Sequence, residues 1–217
     1  SESLNIPGST GINISQGARN NYIGGTIPET RNVISGNGFP NGGDGIFIDD
    51  SDTEDITIQG NYIGIAADGV SPAGNEGNGI TVFGGTNITI VNNSIAHNGR
   101  AGILVTHSAN RIHITENSIF QNTNLGIDLA KTSNYPNGVT SGVCSGTTGG
   151  SNLYQIPVIQ SVTGASLAYT IGGTSCPNAA VELYVADADQ LGFGEGKTFL
   201  LSTGANNKGK WALANVA

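Results

Sequence analysis

Few side chains in this 217-residue chain are equipped for chemistry, so their spacing has to be weighed before anything else. His107, Arg111 and His113 fall in one short stretch, with Lys131 a repeat further along. An imidazole there could carry a proton, but general acid–base work needs a partner carboxylate within reach. The local pattern sets none beside them, and exposed polar turns account for the same residues. Acidic density peaks at Asp49-Asp-Ser-Asp-Thr-Glu-Asp55. Alternating carboxylates at Asp50, Asp52 and Glu54 suit calcium, a hard ion that wants several oxygens. An EF-hand loop requires Gly at its sixth position, where this stretch has Asp55. The competing account is a solvated acidic corner. Asp187-x-Asp189 with Glu195 is a weaker candidate of the same kind, and calcium is the one cofactor the residues suggest. Cys144 and Cys176 lie in Gly/Ser/Thr-rich segments without His or further Cys nearby, which favours a disulfide over zinc.

Composition removes whole classes of function. Only 11% of residues are charged, and 8 Lys+Arg against 16 Asp+Glu give a net charge of −8. A phosphate-binding surface needs a basic stripe, so nucleic acid and anionic lipid are poor partners. No apolar run approaches the ~18 residues of a membrane-spanning helix. The chain holds no Met, so Ser1 reads as a processed start, and the whole as a piece of a larger secreted protein.

The elements that must position these groups show themselves as a repeat. A Gly-Ile start recurs at Gly11, Gly45, Gly79, Gly102 and Gly126, with spacings of 34, 34, 23 and 24 residues. Ile56-Thr-Ile58, Ile88-Thr-Ile90 and Ile112-His-Ile114 follow the middle starts. Three residues later come Asn61-Tyr-Ile63, Asn93-Ser-Ile95 and Asn117-Ser-Ile119, with Asn32-Val-Ile34 as the first-coil counterpart. Apolar residues at i and i+2 turn inward on a strand, and three short strands per ~23 residues make one turn of a β-helix. Asn32, Asn61, Asn93 and Asn117 hold one coil position and predict a ladder of stacked amides, with corners where left-handed backbone favours Gly and Asn. The longer periods carry their surplus at Gly24–Thr30 and Ala66–Gly77, read as loops thrown out at corners. Five starts at ~4.8 Å each give a column of only about 20–25 Å.

Counting from each start places two columns outward: Asn13, Phe47, Thr81, Leu104, Asp128, and Ser15, Asp49, Phe83, Thr106, Ala130. On the second strand the outward set is Thr57, Thr89, His113. None holds an acid pair with an adjacent base. Phe47, Phe83 and Leu104 are apolar where polar residues belong, and such a patch marks a contact with another part of the chain, a subunit or a sugar ring.

After a Gly/Ser/Thr-rich connector at 138–155, five strand-like segments fill 156–217: Ile156–Val162, Leu167–Ile171, Ala180–Val185, Thr198–Ser202 and Trp211–Leu213. An immunoglobulin-like sandwich needs ~7 strands in ~100 residues, so this one is incomplete or borrows a strand. The expected architecture is all-β: a short parallel β-helix over 1–137 with three strands per coil, then a small antiparallel β-sandwich over 156–217. An interdomain bridge would join Cys144 to Cys176.

Arg31-Asn-Val-Ile-Ser-Gly-Asn37, Gly60-Asn-Tyr-Ile-Gly64 and Asn117-Ser-Ile-Phe-Gln-Asn122 resemble the right-handed parallel β-helix repeat proteins of bacterial cell surfaces. Asn124-Leu-Gly-Ile-Asp-Leu129 resembles that family's last coil, and Gly192–Leu200 is similar to part of the sandwich module that often follows. The resemblance implies a right-handed coil and an extracellular or surface location. It leaves activity open, because the fold hosts pectate lyases, epimerases, tailspikes, adhesins and structural proteins. Among these, the residues favour a non-catalytic structural or adhesive protein, its partners further copies of itself or other surface proteins. Head-to-tail assembly into a fibre would proceed by strand addition and coil stacking. The alternative is a protein that binds or processes polysaccharide, along the Phe47/Phe83 face if it binds.

Overall fold

The computed structural model describes residues 9–38, 42–106, 108–129, 157–165, 168–187 and 195–216. Three parallel sheets run up the first part of the chain. One contains β1 (Ile12–Ile14), β4 (Ile46–Ile48), β7 (Ile80–Val82), β10 (Ile103–Val105) and β13 (Ile127–Leu129). The second contains β2 (Tyr22–Gly24), β5 (Glu54–Gln59), β8 (Thr86–Val91) and β11 (Asn110–Thr115). The third contains β3 (Val33–Ile34), β6 (Tyr62–Ile63), β9 (Ser94–Ala96) and β12 (Ser118–Phe120). Each of the first four coils contributes one strand to each sheet, and β13 adds a fifth strand to the first sheet, so equivalent isoleucines stack in register. Ile46, Ile80 and Ile103 form one such row, Ile56 and Ile88 a second, Ile63 and Ile95 a third, and all are fully buried. The repeat predicted from Gly-Ile and Ile-x-Ile is therefore the packing unit of the column. The strand Tyr22-Ile-Gly24, which supplies Ile23 opposite Ile58, carries no Ile-x-Ile signature and is not visible in that pattern.

Two asparagine ladders hold the bends. Asn32, Asn61 and Asn93 each donate from Nδ2 to the Oδ1 of the next coil's asparagine at 3.0 Å, ending at Asn117. The same Oδ1 also accepts the backbone N–H of the asparagine below, at 3.0–3.1 Å. A second ladder runs Asn37, Asn75, Asn98, Asn122 with Nδ2–Oδ1 distances of 2.7, 2.8 and 2.9 Å. Asn75 thus belongs to the coil and not to the loop before it, because Ala73 N–H closes that loop on the Gly64 carbonyl.

The expected role of left-handed backbone needs correcting. The ladder asparagines 61, 93, 98, 117 and 122 are absent from the positive-φ set; the residue before each carries it: Gly60 (71°), Asn92 (54°), His97 (60°), Glu116 (53°) and Gln121 (53°). Asparagine is chosen for its amide, and the turn is made one residue earlier. The Gly-Ile glycines answer to close approach. A Cβ on Gly45, Gly79 or Gly102 would lie 2.6 Å from the carbonyl oxygen of the next glycine in the column.

The C-terminal part packs a three-stranded antiparallel sheet, β14 (Val158–Ala165), β15 (Ala168–Thr174) and β18 (Lys210–Val216), with a two-stranded one, β16 (Ala180–Asp187) and β17 (Glu195–Gly204). Trp211, Leu213, Val181 and Val216 form its core, with Ile171, Leu183, Leu200 and Leu201 packed against them. β17 lies against β12. There Glu195, 2% exposed, takes the place of a further ladder residue: Oε1 and Oε2 accept Asn122 Nδ2 and N–H, both at 3.1 Å. Glu182 receives Thr115 Oγ1 and, at 3.2 Å, the Glu116 N–H. Burial, then its hydrogen bond to Glu182, pushes the Tyr184 hydroxyl far up from its ordinary pKa. The sequence offers Glu195 as a calcium ligand, and the coil end it meets is the one on which coil stacking would add a further copy. On the β12 side that end is sealed, and Glu195 is the seal; over β13, Ile127 stays 43% exposed.

Two stability outcomes follow from this arrangement. Asn93→Leu strips the acceptor from two buried donors of Asn61, at about 1–3 kcal/mol each, and urea denaturation should show a loss of about 3 kcal/mol or more. Gln121→Gly relieves a left-handed, exposed, non-glycine residue and should raise stability by about 1 kcal/mol in the same assay.

Candidate functional site

The first outward column is in the predicted register: Asn13, Phe47, Thr81, Leu104 and Asp128 stand opposite one another on successive strands. Phe47 and Phe83 stack, with centroids 6.2 Å apart at 25°. A cavity of about 370 Å³ opens beside Phe47, lined also by Asn13, Asp44 and Arg100. Leu104 does not belong to this exposed patch. It is 1% exposed, between Thr81 at 2% and Asp128 at 3%, so the column is covered over its upper coils. The outward aromatic surface reduces to the partly exposed Phe47 and Phe83.

The acidic corner does not assemble as a calcium site. Asp50 Oδ2 accepts the Gln16 N–H at 2.6 Å, Glu54 pairs with Arg19, and Asp52 faces Gly17, whose missing Cβ would lie 2.9 Å from Oδ2. Each carboxylate is turned to a different neighbour. Among the described residues no group of three His, Cys, Asp or Glu converges as a metal site.

Of the proton-transfer cluster, His107 and Lys131 lie outside the described residues, while Arg111 and His113 are exposed on β11. Cys176 is disulfide-bonded and 2% exposed; Cys144 and the connector at 138–155 lie outside the described residues. Residue types alone did not single out His97. It packs edge-on against Phe120 at 5.8 Å, and burial followed by the Lys197 charge holds its pKa below the ordinary value. Lys197 also sits 4.9 Å from the Phe120 ring centre, so this group belongs to the seam between column and sandwich.

Two further open surfaces stand out among the described residues. On the second sheet, Asn20, Tyr22, Asp55, Thr57, Asn87 and Thr89 line a groove of about 370 Å³. On the sandwich, β14 is an edge of its sheet among the described residues and leaves Val158, Ile159 and Val162 at 49%, 54% and 59% exposure.

Asp128 is the one buried carboxylate on the outward columns. Its Oδ1 finds no hydrogen-bond partner and burial raises its pKa. A raised folded-state pKa means that the folded chain binds the proton more tightly, so this group weakens folding once pH climbs above the ordinary carboxyl value. Asp128→Asn should raise the Tm at pH 7 and leave it unchanged near pH 3, as read by thermal melts at both.

Among known families, the model described as "Right handed beta helix region" matches residues 5–141. No curated protein and no solved structure gives a significant match. The match spans the coils whose register is described above, over more than half of the chain. Stacked isoleucines, stacked amides and the family model agree: the chain belongs to the right-handed β-helix family.

Proposed function

We propose that this is a non-catalytic structural module of the cell exterior that joins to a second copy of itself by strand pairing at β14. The observation that carries this reading is the uncovered half of the sandwich. Cross-strand partners share a face: Val162 stands opposite Ile171, and Ile171 opposite Leu213. Ile171 and Leu213 are packed in the core, whereas Val162 is 59% exposed. The apolar row therefore runs past its cover, and the packed interior continues into open surface.

The edge carries only part of the usual protection, a register shift between Ile159 and Ser161. Val158-Ile-Gln-Ser-Val-Thr-Gly-Ala165 contains no charge and no Pro, the devices that keep edge strands from pairing with another chain. Charge directs the contact to this part of the molecule. Residues 156–217 hold four acidic and three basic side chains, against twelve and five in the rest, so two sandwiches approach at little electrostatic cost while two columns repel. With β17 against β12, coil-on-coil stacking is obstructed on that side, which leaves strand addition as the supported mode of assembly. The disulfide at Cys176 favours an oxidising, extracellular compartment.

Sedimentation velocity over a concentration series should show reversible association of the intact chain. Val162→Lys, which sets a charge on the exposed row, should leave a monomer with unchanged circular dichroism. A wild-type protein that stays monomeric by light scattering at its highest soluble concentration would overturn the reading.

A further inference from the structure

One extra residue in β14 decides which of its side chains share a face. Ile159 stands opposite Gly173 and Ser161 opposite Gly172, so Gln160 is the added residue of a β-bulge. Side chains three apart on a regular strand point to opposite faces. Across this bulge they do not. Ile159, Gly173 and Trp211 stand opposite one another in one row, and Val162, Ile171 and Leu213 in a second. Trp211 and Leu213 belong to the buried core, and the Trp211 ring lies over Gly173, where a Cβ would sit 2.7 Å from Cζ2. Cross-strand partners share a face, so Ile159 and Val162 both face the core side, yet they are 54% and 59% exposed. Val158 and Thr163, one residue outside them, face the other way.

That spacing limits how a second copy can add to the edge. The apolar rows continue only where both sheets turn their core faces to the same side. A two-fold axis perpendicular to the sheet does this, and it makes the paired strands antiparallel. Centred between Gln160 and Ser161, the axis sets Ile159 opposite Val162 of the second copy, Val158 opposite Thr163 and Gln160 opposite Ser161. Every pair then shares a face, because the two bulges lie at the same level. With a slip of one residue Ile159 meets Ser161 or Thr163, whose side chains face away from the core. In the matched register two rows run unbroken across six strands, from Leu213 and Trp211 of one copy to Trp211 and Leu213 of the other. Two isoleucines and two valines meet at the axis.

A head-to-tail chain of sheets would instead need β14 against β18, the other edge of this sheet among the described residues. β18 begins at Lys210 and holds Asn215 in left-handed backbone, with φ 57°. A charge and an interruption of this kind discourage pairing. A two-fold contact leaves that edge unused, and it occupies β14 on both copies, so assembly closes at two.

We propose that two copies join about a two-fold axis, β14 antiparallel to β14 with Ile159 against Val162, into a closed pair that presents two columns. This rests on the strand pairing at β14 proposed above and adds its register and its limit.

Sedimentation equilibrium of the full chain should give a mass that levels off at two copies. Ile159→Cys and Val162→Cys, mixed in equal amounts under a mild oxidant, should give a disulfide-linked dimer on a non-reducing gel. Neither variant alone should do so, because identical positions lie about 10 Å apart in this register, beyond the ~7 Å that a disulfide spans between Cα atoms. Both variants should keep wild-type association and circular dichroism. A mass that keeps rising with concentration overturns the closed pair, and it leaves strand pairing at β14 in place if Val162→Lys abolishes the rise. Linked dimer from either variant alone, or none from the mixture, overturns the register. A monomer at every concentration overturns both the pair and the reading it rests on.

Discussion

A ladder asparagine gives two hydrogen bonds to one oxygen: its backbone N–H and its Nδ2 both point to the Oδ1 of the asparagine one coil above. Its Nδ2 also reaches a main-chain carbonyl, as Asn93 does with Ile58 and Asn117 with Ile90. Buried backbone at a coil corner has no water and no sheet partner, so each unmet group would cost about 1–3 kcal/mol. The ladder meets those needs in the interior and fixes the distance from one coil to the next. That distance then sets the isoleucine rows, the contact of each Gly-Ile glycine with the carbonyl above it, and the spacing of every outward column.

The ladder also has a direction, and direction has a consequence at its ends. Every rung donates upward, so Asn122, the last rung of the second ladder, has two donors and no further ladder asparagine above it among the described residues. Glu195 meets both with one carboxylate. A carboxylate is the apt terminator because it accepts on two oxygens and needs to donate nothing. Glu182 does related work one corner away, at Thr115 and Glu116. The sandwich is thereby bound to the column by the same kind of bond that joins coil to coil, from residues β16 and β17 bring to that end. These contacts account for a buried glutamate in a strand that otherwise reads as part of an ordinary sandwich.

Much of the column was legible because the repeat leaves marks that composition cannot hide. Ile at fixed offsets, Asn at a fixed distance from Ile and Gly at each start are all consequences of stacking. Tyr22-Ile-Gly24 escaped because one isoleucine between an exposed tyrosine and a glycine has no period of its own. Asn75 was assigned to a loop because its insert shifts it away from the local spacing. Glu195 could not be read at all. Its role depends on where β17 lies relative to β12, and an acid near two aspartates looks like a metal ligand until that packing is known. Leu104 failed for a similar reason, since its column position says that it points out and nothing about what lies over it.

A coiled fold separates the residues that make it from those that could do something. Inward positions are so constrained by the ladder and the isoleucine rows that they say little beyond the architecture. Outward positions are free of that constraint, so a repeated departure there carries more weight. The left-handed position shows how this works. At Asn20, Asp55, Asn87 and Arg111 the backbone would favour glycine, yet four side chains of different chemistry stand in one line. A left-handed conformation costs an ordinary residue about 1–2 kcal/mol, least for Asn and Asp. The column can bear that cost because its two amide ladders and its isoleucine rows hold the coils together. Rigidity inside is therefore what permits variety outside, and an outer strip of this kind can change its side chains without any change to the coil that presents it.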